Sequence, residues 1–173
     1  MHPARIMGPS LTQRHLPAVA SLSPAEEKAL LSSARMLQRA AAVGRTQPLL
    51  RGKNLGLLCH DDTQPEAMLF RRAASELGAH VAHVAMSLSE RSLPVEVAHT
   101  ARMLGRLYDA VECQGMAHAV VQQVADEAGV AVYDGVATPN HASARLAEQL
   151  GDEAAPGDNR RFVLQALLLS TIV

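Results

Sequence analysis

Within this 173-residue sequence, the run Cys59-His60-Asp61-Asp62-Thr63-Gln64-Pro65-Glu66 offers a thiol, an imidazole, three carboxylates, a hydroxyl and an amide. It follows an apolar segment at 54–59 and precedes helical spacing from Pro65, a strand-to-helix junction of the kind where α/β proteins hold ligands. A helix start presents backbone N–H groups and a positive dipole end, so it commonly receives phosphate or carboxylate. The charges here oppose that use: Asp61, Asp62 and Glu66 are acidic, and no Lys or Arg lies between Lys53 and Arg71. A second chemistry is a divalent metal on His60, Asp61 and Asp62, with Cys59 or His141 in support, because carboxylate and imidazole suit such an ion. An acid pair beside a helix start is more often a cap and solvated charge, and His80 and His83 point to opposite faces of a strand. These are weak metal candidates, and no cofactor is expected.

Composition removes other classes. Lys plus Arg number 16 against 17 Asp plus Glu, so there is no basic field for nucleic acid or an anionic membrane surface. With Trp absent and only Phe70, Phe162, Tyr108 and Tyr133 as aromatics, base-stacking platforms are lacking too. Cys59 and Cys113 fall in or at the end of apolar strands, which suits reduced core thiols. The longest apolar run, near Leu167, Leu168 and Leu169, is far short of the roughly 20 residues that span a bilayer, and the N-terminus has no apolar signal segment. A soluble, cytoplasmic protein is expected.

The elements that must position these residues alternate. Residues 1–20, with Pro3, Gly8, Pro9 and Pro17, read as a flexible arm. Ser23-Pro24-Ala25-Glu26 starts a helix to about residue 43, with Ser as N-cap and Pro in the first turn. Strands are predicted at 54–59, 80–86, 109–113 and 130–133, and helices at 65–77, 94–107, 117–128 and 141–150. Strands separated by helices of this length indicate right-handed βαβ units. The fold class is α/β, doubly wound, with a mostly parallel four-stranded sheet, helices on both faces and one domain over 21–150. A last helix, 158–173, is apolar around most of its circumference, so it must be buried on several sides; a subunit contact beside a core contact is expected. Gly105 and the methionines read as packing, Arg71 and Arg72 as surface charges, and His99 as structural.

Several segments carry a resemblance: Leu22-Ser23-Pro24-Ala25-Glu26, Pro48-Leu49-Leu50-Arg51-Gly52-Lys53, Phe70, Glu76-Leu77-Gly78, Thr100-Ala101-Arg102-Met103-Leu104-Gly105-Arg106 and Asp109-Ala110-Val111. Residues 15–150 resemble the N-terminal, carbamoyl-phosphate-binding domain of the ornithine and aspartate carbamoyltransferases, the ornithine branch above all. Asn159-Arg160-Arg161-Phe162-Val163-Leu164-Gln165-Ala166 looks like that family's closing helix, with the amino-acid-binding domain left out between Leu150 and Asp158. The resemblance sets the family's phosphate loop, Ser-Thr-Arg-Thr-Arg, on Thr63-Gln64-Pro65-Glu66-Ala67, where both arginines are gone. It sets the carbamoyl-contacting arginine on Gln114, and His-Pro-Cys-Gln on His141-Ala142-Ser143-Ala144, keeping the His. Losing two charge-assisted hydrogen bonds of about 1.5–3 kcal/mol each should weaken phosphate binding roughly a hundredfold to ten-thousandfold.

Thr63 and Glu66 are spaced as a capping box, which would satisfy the helix start from within. The resemblance therefore implies a vestigial pocket of Thr63, Gln64, Glu66, Gln114 and His141, with no catalytic residue and a non-catalytic role in assembly, structure or regulation. It also implies a homo-oligomer, a trimer first, or a mixed assembly with a full-length carbamoyltransferase. The alternative is a carboxyl- or carbamoyltransferase, or a small-molecule-binding protein of amino-acid metabolism, with altered specificity.

Overall fold

The computed structural model describes residues 22–151 and 156–173; the expected arm over 1–20 lies outside them. Helix α1 (Pro24–Ala42) opens on a capping box, in which Glu26 N–H donates to Ser23 Oγ at 3.2 Å and Ser23 N–H donates to Glu26 Oε2 at 2.7 Å. Then come β1 (Asn54–Cys59), α2 (Pro65–Glu76), β2 (His80–Ala85), α3 (Pro94–Leu107), β3 (Ala110–Cys113), α4 (His118–Ala128), β4 (Ala131–Asp134), α5 (Ser143–Glu148) and α6 (Pro156–Ile172). The predicted elements all appear, with ends moved by a few residues where loops compete with the last turn.

The four strands lie in the order β2-β1-β3-β4, and every pair is parallel. Strand β1 sits inside the sheet and is buried from Leu55 to Cys59, as a parallel strand covered on both faces must be. Strand β2 is an edge, and its side chains alternate between shielded and open. Alternation along β1 divides the core. Leu55, Leu57 and Cys59 face α1, α2, α5 and α6, while Leu58 joins Val111, Cys113, α3 and α4 on the other side. From β1 the chain crosses to β2 on one side, and from β3 it crosses to β4 on the other. The carboxyl ends of β1 and β3 therefore flank a topological switch point, where a crevice opens.

Helix α6 makes the expected core contact: residues 161–168 are buried within this one chain against α1, α2 and α5. The polar residues on that buried surface are also answered internally. Gln38 Nε2 donates to Asn159 Oδ1 at 3.1 Å, Asn159 Nδ2 to the Gly151 carbonyl at 2.7 Å, and Gln165 Nε2 to the Ala73 carbonyl at 3.2 Å. Arg161, 8% exposed, lies 3.1 Å from Glu76 and 3.1 Å from Asp158. Among the described residues no helix is long and apolar enough to cross a membrane.

Helices α3 and α4 approach each other so closely at Gly105 that a Cβ there would stand 1.8 Å from the Ala128 carbonyl oxygen. Helical propensity favours Ala over Gly by about 1 kcal/mol, but forcing two backbones apart costs about 1–3 kcal/mol or more. The overlap is with backbone, which cannot rotate away, so the clash wins. Gly105→Ala should therefore lower the urea midpoint, by a net loss of up to about 2 kcal/mol; an unchanged or raised midpoint would contradict this packing.

Candidate functional site

The loop between β1 and α2 is organised by Asp61. Its Oδ1 accepts from Thr63 N–H at 2.9 Å and Thr63 Oγ1–H at 2.6 Å, and its Oδ2 accepts from Gln64 Nε2 at 2.9 Å. These bonds, the Thr63 hydroxyl first and the Gln64 amide next, hold the carboxyl down to about 2. The Thr63–Glu66 capping box does not form. The helix begins at Pro65, so Gln64 is the N-cap, with no side-chain capping bond, and the third helical residue is Ala67. Asp61 wins Thr63 because an aspartate two residues upstream closes a local turn without waiting for the helix.

Asp62 turns the other way. Arg71 Nη2 donates to Asp62 Oδ2 at 3.1 Å and its Nη1 to the Val81 carbonyl at 3.2 Å, so Arg71 is a brace across α2, β2 and the loop rather than a free surface charge. Arg72, by contrast, is an exposed charge paired with Glu76 at 3.1 Å. His83 Nε2 lies 2.9 Å from the Cys59 carbonyl, which can only accept, so that nitrogen carries a proton; Nδ1 lies 3.8 Å from Asp62. Asp61 and Asp62 are thus committed to different protein partners, and His60 stands apart on the open side. Among the described residues no three His, Cys, Asp or Glu side chains converge as a metal site.

The centre of the site is a residue the sequence reading did not single out. Glu112 lies in β3, wholly buried. Its Oε1 accepts from Val136 N–H at 3.1 Å, and its Oε2 from Ala137 N–H at 3.3 Å and Gln114 Nε2 at 3.3 Å. Burial outweighs these bonds and pushes the carboxyl up from 4.5 to about 8. Gln114 Nε2 also donates to the Glu66 carbonyl at 3.2 Å, tying β3 to the first turn of α2. Of the expected pocket residues, Glu66 and Gln114 are therefore in contact, while Thr63 and Gln64 turn to Asp61.

His141 lies in the loop between β4 and α5. Its Nδ1 accepts from Ser143 N–H at 3.1 Å, which places the ring proton on Nε2, a buried atom without a hydrogen-bond partner among the described residues. Burial, and then the nearby Arg160 charge, lower its pKa to about 4, so the ring is neutral at physiological pH. Arg160, brought in by α6, was also not singled out. Its Nη2 donates to the Val136 and Thr138 carbonyls, and its Nε donates to Ser143 Oγ at 3.0 Å. A sequence signal for Glu112 existed, an acid inside the apolar strand Ala110–Cys113. Arg160 had none, since its neighbour Arg161 has the same side chain and a different fate.

Over the carboxyl ends of β2, β1 and β3 lies a cleft of about 440 Å³ lined in part by His60, Ser87, Ser89, Glu90, Arg91 and Gly115. Of the residues expected to hold a ligand or metal, only His60 lines it; Thr63, Gln64, Glu66, Gln114 and His141 do not.

Residues 14–150 match the family model described as the carbamoyl-P binding domain of aspartate/ornithine carbamoyltransferase. The chain is 37% identical over 141 residues to the ornithine carbamoyltransferase of Cutibacterium acnes, covering 82% of this chain and 42% of that protein. It is 36% identical over 141 residues to that of Actinobacillus pleuropneumoniae, with the same coverage, 82% and 42%. Among solved structures it is similar to the ornithine carbamoyltransferase of Pyrococcus furiosus, with TM-score 0.71, 26% identity, and coverage of 82% of this chain and 45% of that one. The chain thus spans less than half the length of these relatives.

Glu112 sets a pH dependence whose sign is fixed. Its proton is held more tightly in the fold than in the unfolded chain, so its stabilising contribution is complete below pH 4.5 and is lost as pH rises to about 8. Over that window it removes up to about 1.4 kcal/mol of stability per pH unit. In urea denaturation, the stability of the native protein minus that of Glu112→Gln should fall from pH 5 to 8 and level off above; a difference independent of pH would contradict this assignment.

Proposed function

The chain belongs to the aspartate/ornithine carbamoyltransferase family, through its carbamoyl-phosphate-binding domain, and from that premise we propose that it is a non-catalytic member whose scaffold serves assembly or regulation. The observation that carries this reading is where the loop donors go. Thr63 Oγ1–H and the Gln64 amide donate to Asp61, and the Gln114 amide donates to the Glu66 carbonyl and Glu112. An incoming phosphate would have to break those bonds, beside Asp61 and Glu66, with Pro65 and Ala67 where the family's loop has arginines. Breaking a satisfied hydrogen bond to make another gains little, while each missing charge-assisted bond forfeits about 1.5–3 kcal/mol.

What remains for such a domain is its surface. Leu93, Val95, Met103 and Leu107 of the α3 region are each about half exposed or more, an apolar surface suited to self-association or to a full-length carbamoyltransferase. Both cysteines are buried thiols, compatible with a reducing cytoplasm. A second reading, an enzyme or small-molecule-binding protein of altered specificity, is favoured by the cleft with Ser87, Ser89 and Arg91. Carbamoyl transfer to ornithine or another amine by the isolated chain would establish it over the first.

Calorimetric titration with carbamoyl phosphate, and separately with inorganic phosphate, should show no binding tighter than about 1 mM, equivalent to about 4 kcal/mol; micromolar binding of either would overturn the proposal. The triple change Pro65→Arg, Glu66→Thr and Ala67→Arg should restore measurable phosphate binding. For the assembly role, sedimentation equilibrium of the chain alone, or mixed with a full-length carbamoyltransferase, should give a mass above the 18.4 kDa monomer, a trimer first. Monomer in both experiments argues against assembly.

A further inference from the structure

The backbone between β4 and α5 is held from opposite sides by an acid and a guanidinium. Its N–H groups at Val136 and Ala137 point to the Glu112 carboxylate, 3.1 and 3.3 Å away. Its carbonyls at Val136 and Thr138 accept from the guanidinium of Arg160, which also donates to Ser143 Oγ at 3.0 Å. Ser143 Oγ–H in turn donates to the Val136 carbonyl at 2.8 Å, and Ser143 N–H donates to His141 Nδ1 at 3.1 Å. Gly135 adopts φ +64, which lets the chain turn straight off β4 and present consecutive N–H groups to one carboxylate. Every link from Glu112 to the His141 ring is therefore a directional bond. We propose that Glu112 and Arg160 form a two-sided clamp on the β4–α5 loop, making the position of the His141 ring responsive to the ionisation of Glu112.

The geometry explains why ionisation matters. Three N–H donors converge on the two carboxylate oxygens, an arrangement complementary to a group that only accepts. Protonation replaces one acceptor lone pair with an O–H donor and weakens the bonds that remain, so the loop or the Gln114 amide shifts to meet the new donor. The other titratable and charged groups around Glu112 leave this transition clear. They are Cys59 of β1, Cys113 of β3, Tyr133 and Asp134 of β4, Arg160 of α6 and, on the loop, His141. Burial pushes both thiols and the Tyr133 phenol up, and lowers Arg160 from its ordinary value. His141 is held down at about 4, away from the window around pH 8 where Glu112 changes charge. Asp134 carries its own bond, from His118 Nδ1 at 2.6 Å. The clamp is thus looser below neutrality and tighter in mild alkali. It stands independently of whether the family pocket binds anything.

The test is an NMR titration of the full chain from pH 5 to 9.5, following the amide resonances of Val136 and Ala137 and the Cε1–H of His141. All three should move together, with one midpoint between about 7 and 9. Glu112→Gln should abolish the shared transition. Arg160→Met should raise the midpoint, because removing a cation disfavours the carboxylate, and Arg160→Lys should leave it closer to the native value. A structural role for Arg160 alone would not move a midpoint. Flat amides across this range, a midpoint near pH 4–5, or a His141 signal that titrates apart from the two amides would overturn the proposal. The native titration decides this even if a variant fails to fold.

Discussion

A carboxylate at the centre of a parallel sheet must be answered on every side, and around Glu112 most of the site is organised by that demand. Its partners come from its own strand through Gln114 and from the loop after β4 through Val136 and Ala137. Gln114 then reaches the first turn of α2, and Arg160 closes the loop from α6. A buried ionisable group costs several kcal/mol unless it is paired and hydrogen-bonded. Here the bonds recover part of that cost while burial still dominates, which is why the proton is retained to higher pH than on a free carboxylate.

Helix α6 answers the same kind of demand at a larger scale. It is apolar around most of its surface and still carries Asn159, Arg161 and Gln165 into the interior, each met by α1, α2 or its own first turn. Because those bonds are directional, the helix has one docked position, and that position delivers Arg160 to the β4–α5 loop. The helix that closes the core therefore also fixes the site.

The β1–α2 junction spends its own polar groups within the loop. An anion site needs unpaired donors and positive charge; this loop has acids that consume its donors and a cation, Arg71, directed at Asp62 rather than outward. A cleft lies beside the junction, lined in part by His60.

Periodicity, punctuation and residue type made much of this visible in the sequence. The apolar run 54–59 and helices opening on Pro24, Pro65 and Pro94 dictate alternating strands and helices, and the acidic charge of the loop between them is plain from residue type. These are local properties, readable because each residue acts on near neighbours. The sequence did not determine which donor pairs with which acceptor. Thr63 had two acidic candidates within reach, Asp61 and Glu66, and the helix register chose Asp61. Two adjacent arginines in α6 diverge, Arg161 to Glu76 and Arg160 to the loop carbonyls, because successive helical residues point about 100° apart and only docking says what lies in each direction. Glu112 was legible as an acid inside an apolar strand, but its partners were set only when the sheet order brought the β4–α5 loop to it; hydrogen bonds reward angle and distance, and those belong to tertiary structure.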